Sequence, residues 1–245
     1  MTQSMSATES GRGSVIFSMW VLVVLIVALP PLWLLLAFSP SEEQRTDRLV
    51  RTWARRVVRW SGCSLNVSGT EHLAQTPCAL MVANHSSFLD SVVLLAAVPN
   101  DFRFVANHRA ATRPLVGLIL RKAGHLVVNR GSARSRATCA RAMMAALRAG
   151  RSLMVFPEGT RGADGLLPFQ MGPFRIAAAV GCPVTPVALV GTRTILPRRI
   201  RLLRRAPISV IVLAPIGVVP SERLSSTELR DRATRAMSAC LAAHV

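Results

Sequence analysis

From Val15 to Phe38 there are 24 consecutive uncharged and mostly apolar positions. A run that is apolar on every side suits lipid or a deeply buried core rather than a half-wet surface. As a helix it would extend about 36 Å at ~1.5 Å per residue, enough to cross a hydrocarbon layer. It is too long for a cleaved leader, and no small-residue cleavage site follows it. Pro30 and Pro31 fall just past its middle, where their rings break or kink a helix. Two readings stay open: a kinked span, or insertion into one leaflet with a turn back. Non-spanning insertion is the favoured one.

The period changes after Phe38. At about 100° per residue, Leu49, Val50, Trp53, Val57 and Trp60 share one face, with Arg48, Arg51, Arg55 and Arg59 opposite. This pattern predicts an interfacial amphipathic helix, tryptophans at headgroup level and arginines toward anionic phosphates. An ordinary surface helix packed on the domain is the alternative. Arginines at 45, 48, 51, 55, 56 and 59, against Arg12 alone upstream, put the carboxy-terminal bulk on the cytoplasmic side of the cytoplasmic membrane by the positive-inside bias.

Further on, short β-branched or apolar runs alternate with longer helical patterns. Strands are expected at Ser64–Ser68, Ala79–Ala83, Phe102–Ala106, His125–Asn129, Ser152–Phe156, Val184–Val190 and Ile208–Leu213. Helices are expected at Leu89–Val98, Pro114–Ala123, Ala133–Leu147, Phe174–Val180 and Ser225–Ala243. The alternation predicts an α/β domain, a mostly parallel central sheet flanked by helices. The organisation expected is a disordered tail at residues 1–14, a membrane anchor of hydrophobic plus amphipathic helices at 15–62, and the α/β domain at 63–245.

Charge narrows the partners. Thirty Lys+Arg against 12 Asp+Glu give +18, a field that attracts nucleic acid or an anionic lipid surface. No nucleic-acid motif is present and aromatics are 5% of residues, too few for base stacking. The apolar segment favours the membrane and no nucleic acid. A second basic cluster, Arg193, Arg198, Arg199, Arg201, Arg204 and Arg205, is expected to lie on anionic lipid. Five scattered cysteines with no C-x-x-C pair argue against a disulfide framework or zinc site and fit a reducing compartment.

Two segments carry chemistry, each where a strand gives way to a turn. In Ala83-Asn84-His85-Ser86-Ser87-Phe88-Leu89-Asp90, His85 and Asp90 can pair only if His85 stays in the turn and the helix starts after it. Ser87 with Asp90 three residues on is a capping-box pattern, so Asp90 reads either as a cap or as a partner for His85. In Phe156-Pro157-Glu158-Gly159-Thr160-Arg161-Gly162, a carboxylate and a guanidinium emerge at the sheet edge, where open α/β sheets bind ligands. Arg161 suits a phosphate held bidentately. Glu158 could accept hydrogen bonds from a polyol or position Arg161, or the two could merely close the turn.

Together the two segments resemble the glycerolipid acyltransferase family, whose bacterial members include the 1-acylglycerol-3-phosphate acyltransferases. The resemblance runs from Ala79 to Thr192 and includes Pro114, Gly117, Gly124, Asn129-Arg130 and Val184-Thr185-Pro186-Val187. It implies acyl transfer from a thioester of coenzyme A or acyl carrier protein to a lysophospholipid hydroxyl, with no other cofactor and no metal. His85 would deprotonate the hydroxyl and Asp90 fix its tautomer. Glu158, Gly159, Thr160, Arg161 and Arg130 would bind the acceptor. An imidazole is a workable base at neutral pH, and no G-x-S-x-G elbow suggests a serine acyl-enzyme. Free backbone N–H groups at the helix start after Ser87 are expected near the developing oxyanion.

Two positions depart from the family. A lysine common after Val-Ala is Asn107 here, and another near Pro168-Phe169 is Gln170. Arg130, Arg161 and Arg175 remain as phosphate partners. Lysophosphatidate is the favoured acceptor, with a lyso-aminolipid such as lyso-ornithine lipid as the alternative. A non-catalytic lipid-binding protein is a third reading.

Overall fold

The computed structural model describes residues 14–40, 42–76, 78–162, 165–197, 202–217 and 224–244. In chain order the elements are α1 (Val15–Phe38), α2 (Glu43–Ser61), β1 (Leu65–Ser68), α3 (Glu71–Ala74), β2 (Leu80–Ala83), α4 (Leu89–Ala97), β3 (Phe102–Asn107), α5 (His108–Ala111), α6 (Pro114–Lys122), β4 (Leu126–Val128), α7 (Ala133–Arg148), β5 (Ser152–Val155), α8 (Met171–Val180), β6 (Val184–Val190), α9 (Thr192–Ile195), β7 (Ile208–Val212) and α10 (Ser226–Ala242). Strands β2 and β5 are buried at every position, which is why they read as continuous apolar runs rather than alternating ones.

Seven strands form one sheet in the order β1-β7-β6-β2-β5-β3-β4. All neighbours are parallel except β6 and β7, so the fold is the expected mostly parallel α/β sheet. Helices cover both faces. One core packs α1, α2 and α4 on the sheet through Leu36, Val50, Ala54, Val93 and Leu94. The other packs α7, α8 and α10 through Met143, Phe174, Ala177 and Met237.

Helix boundaries follow local chemistry. Helix α1 has the bounds its apolar run gives, but it continues through Pro30 and Pro31, so the chain does not turn back there. Ser14 is its cap rather than part of a tail, accepting from Phe17 N–H at 3.1 Å; residues 1–13 lie outside the described residues. Helix α8 starts at Met171, earlier than the sequence suggests. Pro173 falls in its first turn, where no N–H partner is needed and the ring is tolerated.

Helix α1 lies along α2 and buries Val24, Ala28, Leu32 and Leu36 at four-residue spacing. Trp53 Nε1 donates to the Ala28 carbonyl at 3.0 Å, and Trp20 Nε1 to the Trp60 carbonyl at 2.8 Å. Lys122, the chain's one lysine, donates to the carbonyls of Leu36 and Ser39 at the end of α1, a favourable site for a cation. The opposite face, including Ile26, Val27, Trp33 and Leu34, is exposed.

Helix α2 differs from its helical-wheel reading. Arg51 does not face outward: it is 5% exposed, pairs with Asp47 at 2.5 Å and donates to the Val98 carbonyl at 2.7 Å. Its guanidinium lies 4.5 Å from the Phe102 ring centroid. Arg103 on β3 joins the same cluster through Asp101, Asp47 and Glu43. The wheel misassigned Arg51 because the end of α4 supplies the Val98 carbonyl and β3 the Phe102 ring, neither of which periodicity reveals, while Asp47 one turn earlier on α2 pairs its charge.

His125 lies beside this cluster and accepts from Phe104 N–H through Nδ1 at 3.1 Å. Burial, then the charges of Arg103 and Arg51, lower its pKa from 6.5 to about 3. Between those values the unfolded chain binds a proton that the folded chain refuses, so stability falls as pH drops through that window. His125→Asn keeps an acceptor for Phe104 and removes the titration. The wild type should lose more melting temperature than this variant between pH 7 and pH 5, at up to ~1.4 kcal/mol per pH unit. Equal losses would rule His125 out as the cause.

Candidate active site

The parallel register of three central strands gathers the site. Val82 on β2 lies opposite Val155 on β5, so three residues later His85 and Glu158 leave the sheet side by side. On the other flank Ala83 lies opposite Val187 on β6. Asn84 extends that pairing with its side chain, donating to the Leu189 carbonyl at 2.9 Å and accepting from Leu189 N–H at 2.7 Å. The site therefore sits at the carboxyl ends of neighbouring parallel strands, where such sheets form ligand crevices.

His85 remains in the turn and α4 begins at Leu89, so the pair separated by five residues can meet. Nδ1 of His85 lies 2.8 Å from Oδ2 of Asp90. The same oxygen accepts from the backbone N–H groups of Ser86 at 2.7 Å and Ser87 at 2.8 Å. Oδ1 accepts from the Thr192 hydroxyl at 2.5 Å. Asp90 is fully buried, and four donors offset the loss of water around its charge. A carboxylate so occupied can only accept, which places the proton on Nδ1 and the lone pair on Nε2. The His85 side chain is 19% exposed, and Nε2 has no hydrogen-bond partner among the described residues. Its ring stacks on Phe156, with centroids 4.1 Å apart.

Cap and orienting carboxylate are thus one group. The capping pattern holds on its Asp90 side; Ser87 Oγ accepts from Leu89 N–H at 3.3 Å instead of completing the box. At the helix start after Ser87, the N–H of Leu89 bonds to Ser87 Oγ and that of Asp90 to the Ser87 carbonyl, so these two are not the free donors expected for an oxyanion.

Glu158 has a role that the sequence did not suggest. Oε1 accepts from the His85 backbone N–H at 2.7 Å, and Oε2 from Leu167 N–H at 3.1 Å. Gly162 N–H donates to the His85 carbonyl at 2.8 Å. The second segment therefore holds the histidine's main chain on both sides. Burial pushes the Glu158 carboxyl above the usual range, while the two N–H donors pull it part of the way back. Gly159 has φ +78°, and a Cβ there would lie 2.7 Å from Arg130 Nη1. Arg130 reaches the Gly159 carbonyl, joining α7's leading turn to this loop. Thr160 is exposed. Arg161 stacks on Phe88, its Cζ 3.5 Å from the ring centroid. Arg175 is exposed on α8.

Sequence reasoning passed over Thr192, Phe156 and Arg113, whose Cζ lies 5.0 Å from the Phe88 centroid. Thr192 follows a strand end, as His85 and Glu158 do, and that shared position was the available signal. Asn107 caps α5, accepting from Arg109 N–H at 3.0 Å, a helix-starting role that a lysine would not fill. Of the late basic cluster, Arg198, Arg199 and Arg201 lie outside the described residues. Arg205 donates to the Gly62 carbonyl at 2.7 Å. No group of three His, Cys, Asp or Glu suited to a metal occurs among the described residues.

Residues 64–190 match the family described as Acyltransferase, and the chain belongs to that family. A Brassica napus 1-acyl-sn-glycerol-3-phosphate acyltransferase is 32% identical over 222 residues, covering 89% of this chain and 63% of the relative. One from Borreliella burgdorferi is 30% identical over 139 residues, covering 56% of each. The chain thus spans less than two thirds of the length of these two relatives. A Pseudomonas aeruginosa lyso-ornithine lipid O-acyltransferase is 34% identical over 212 residues, covering 80% of this chain and 79% of that protein. The fold is that of the 1-acyl-sn-glycerophosphate acyltransferase PlsC from Thermotoga maritima, with TM-score 0.74, 23% identity and 93% coverage of both chains.

Glutamine at 158 could accept at only one of its two present positions. Glu158→Gln should destabilise the fold by about 1–3 kcal/mol, lowering the melting temperature by about 2–4 °C per kcal/mol. An unchanged melting temperature would show that the carboxylate does not hold the His85 turn.

Proposed function

We propose that the protein transfers an acyl group from a thioester, acyl-CoA or acyl-carrier protein, to the free hydroxyl of a lysophospholipid. Lysophosphatidate is the first acceptor and phosphatidate the product. The observation that carries the reading is the outward Nε2 of a histidine whose Nδ1 is held by the buried Asp90. Nε2 takes the hydroxyl proton as the oxygen attacks the thioester carbonyl. The tetrahedral adduct collapses by breaking the carbon–sulfur bond, and the imidazolium returns its proton to the departing thiolate. Asp90 fixes the tautomer and steadies the transient positive charge.

Transfer is direct. The Ser86 and Thr192 hydroxyls lie 3.2 Å apart and the Ser87 hydroxyl donates to the Leu196 carbonyl at 3.1 Å, so neither serine hydroxyl is aligned with His85. Burial raises the pKa of Cys78, Cys139 and Cys240, and that of Cys182 to about 12, disfavouring the thiolate an acyl-enzyme would need. Arg161, with Arg130 behind it and Gly159 and Thr160 in the same loop, provides the acceptor's anion contacts.

A second acceptor, lyso-ornithine lipid, is favoured by the neutral Asn107 and Gln170 and by the extent of the Pseudomonas aeruginosa match. Purified enzyme offered both acceptors with one acyl thioester separates them. Faster turnover of lysophosphatidate supports the first reading; equal or better turnover of the phosphate-free lipid replaces it.

The anchor lies in the plane of one leaflet at the cytoplasmic membrane, with the catalytic domain on the cytoplasmic side. Helix α1 is long and apolar enough to span, but α2 runs beside it with Arg45, Arg48, Arg55, Arg56 and Arg59 exposed. A span would carry arginines into hydrocarbon at about 2.5–3.5 kcal/mol each on insertion scales. Leu203, in the late basic segment, bonds to Ser14 and Ser18 at the start of α1, bringing its neighbours Arg204 and Arg205 to the same surface.

His85→Ala should lower acyl transfer by about 1,000-fold and Asp90→Asn by about 100-fold or more, with membrane association retained. Substantial residual transfer by His85→Ala would overturn the mechanism. Aspartates at Ile26 and Val27 should release the protein from vesicles in flotation, and persistent flotation would exclude the exposed α1 face as the anchor.

A further inference from the structure

Phe88 lies three residues beyond His85 and is 47% exposed, so its ring adds little to the core. Two guanidinium groups attend it. Arg161 comes from the loop after β5 and Arg113 from the turn between α5 and α6, with Cζ atoms 3.5 Å and 5.0 Å from the ring centroid. An exposed cation–π contact contributes only about 0.5–1 kcal/mol, and two like charges on one ring oppose each other. The cluster is therefore a weak device for stability. It is a good device for presenting the forked donors of Arg113 to an anion beside the charge of Arg161, because the ring fixes the planar Arg113 group without using its N–H donors.

Other features agree. Arg113 is exposed and has no ion pair among the described residues. Asn107, at the carboxyl end of β3, uses its side chain to cap α5 and supplies no cation. Six residues later Arg113 does.

Resting on the acyl-transfer reading above, we infer that Arg113 is a specificity-determining residue. With Arg161 it grips the phosphate monoester of the acceptor on the Phe88 platform, so that the acceptor hydroxyl is delivered to Nε2 of His85. The chemistry recognised is a compact dianion on a single-chain lipid. The surface of an anionic bilayer offers similar groups and is the competing source.

Full-length protein in uncharged detergent micelles, with one acyl-CoA, separates these sources. Lysophosphatidate and monoacylglycerol carrying the same chain serve as acceptors for the wild type, Arg113→Ala and Arg113→Lys. Arg113→Ala should raise KM for lysophosphatidate about 10- to 100-fold, with kcat within about twofold and monoacylglycerol turnover unchanged. Arg113→Lys should recover part of the loss, since a point charge replaces a fork. An unchanged KM overturns the inference. So does an equal loss on both acceptors, which would mark a structural role. A defect seen only with anionic vesicles assigns Arg113 to the bilayer surface and likewise overturns it. A wild type that acylates none of lysophosphatidate, monoacylglycerol and lyso-ornithine lipid removes the acyl-transfer reading itself; an active wild type with an indifferent Arg113→Ala removes Arg113 alone.

Discussion

The register of β2 against β5 is the constraint on which the site depends. With Val82 opposite Val155, equal lengths of chain bring His85 and Glu158 level beyond the sheet edge. There the Glu158 carboxylate meets the His85 main-chain N–H. A one-residue slip would turn every buried side chain of these strands to the other face, so two packed cores hold the register. Asn84, knitted to Leu189, fixes the opposite flank in the same way. Segments far apart in the chain thereby become one rigid turn.

Asp90 shows how a small polar cluster can be structural and chemical at once. Its Oδ2 satisfies two backbone donors at the start of α4 while facing His85 Nδ1, and Thr192 occupies its other oxygen. Because the helix start and the imidazole share this acceptor, the ring cannot rotate without disturbing the backbone. The orientation that leaves Nε2 outward is thus fixed by secondary structure as much as by a side-chain pair.

Much of this was legible in the chain. The uncharged run gave the bounds of α1, and the alternation of short apolar and longer amphipathic segments gave the central strands and flanking helices. The Ser225–Glu228 capping box marks the start of α10. What could not be read depends on who neighbours whom. Arg51 looked solvent-facing because its contacts with the Val98 carbonyl and the Phe102 ring are a tertiary fact. The bond from the His85 main chain to Glu158 could not be read because nothing local says that β5 lies beside β2. Arg113 and Phe88 are unremarkable in sequence and meet only when the turn before α6 comes up to the turn before α4. The four-residue helices α3, α5 and α9 are too short to carry a periodic signal.

The contacts that tie α1 and α2 to the sheet reach further than attachment. Trp53 on the Ala28 carbonyl, Lys122 on the end of α1 and buried Arg51 on the Val98 carbonyl join the apolar helix to the catalytic layer through side chains. With α1 lying in the lipid plane, as proposed, Nε2 of His85 is held at one working height above that plane. A lipid must then bring its hydroxyl to the enzyme, and how far its headgroup projects from the bilayer becomes a selection criterion alongside its charge.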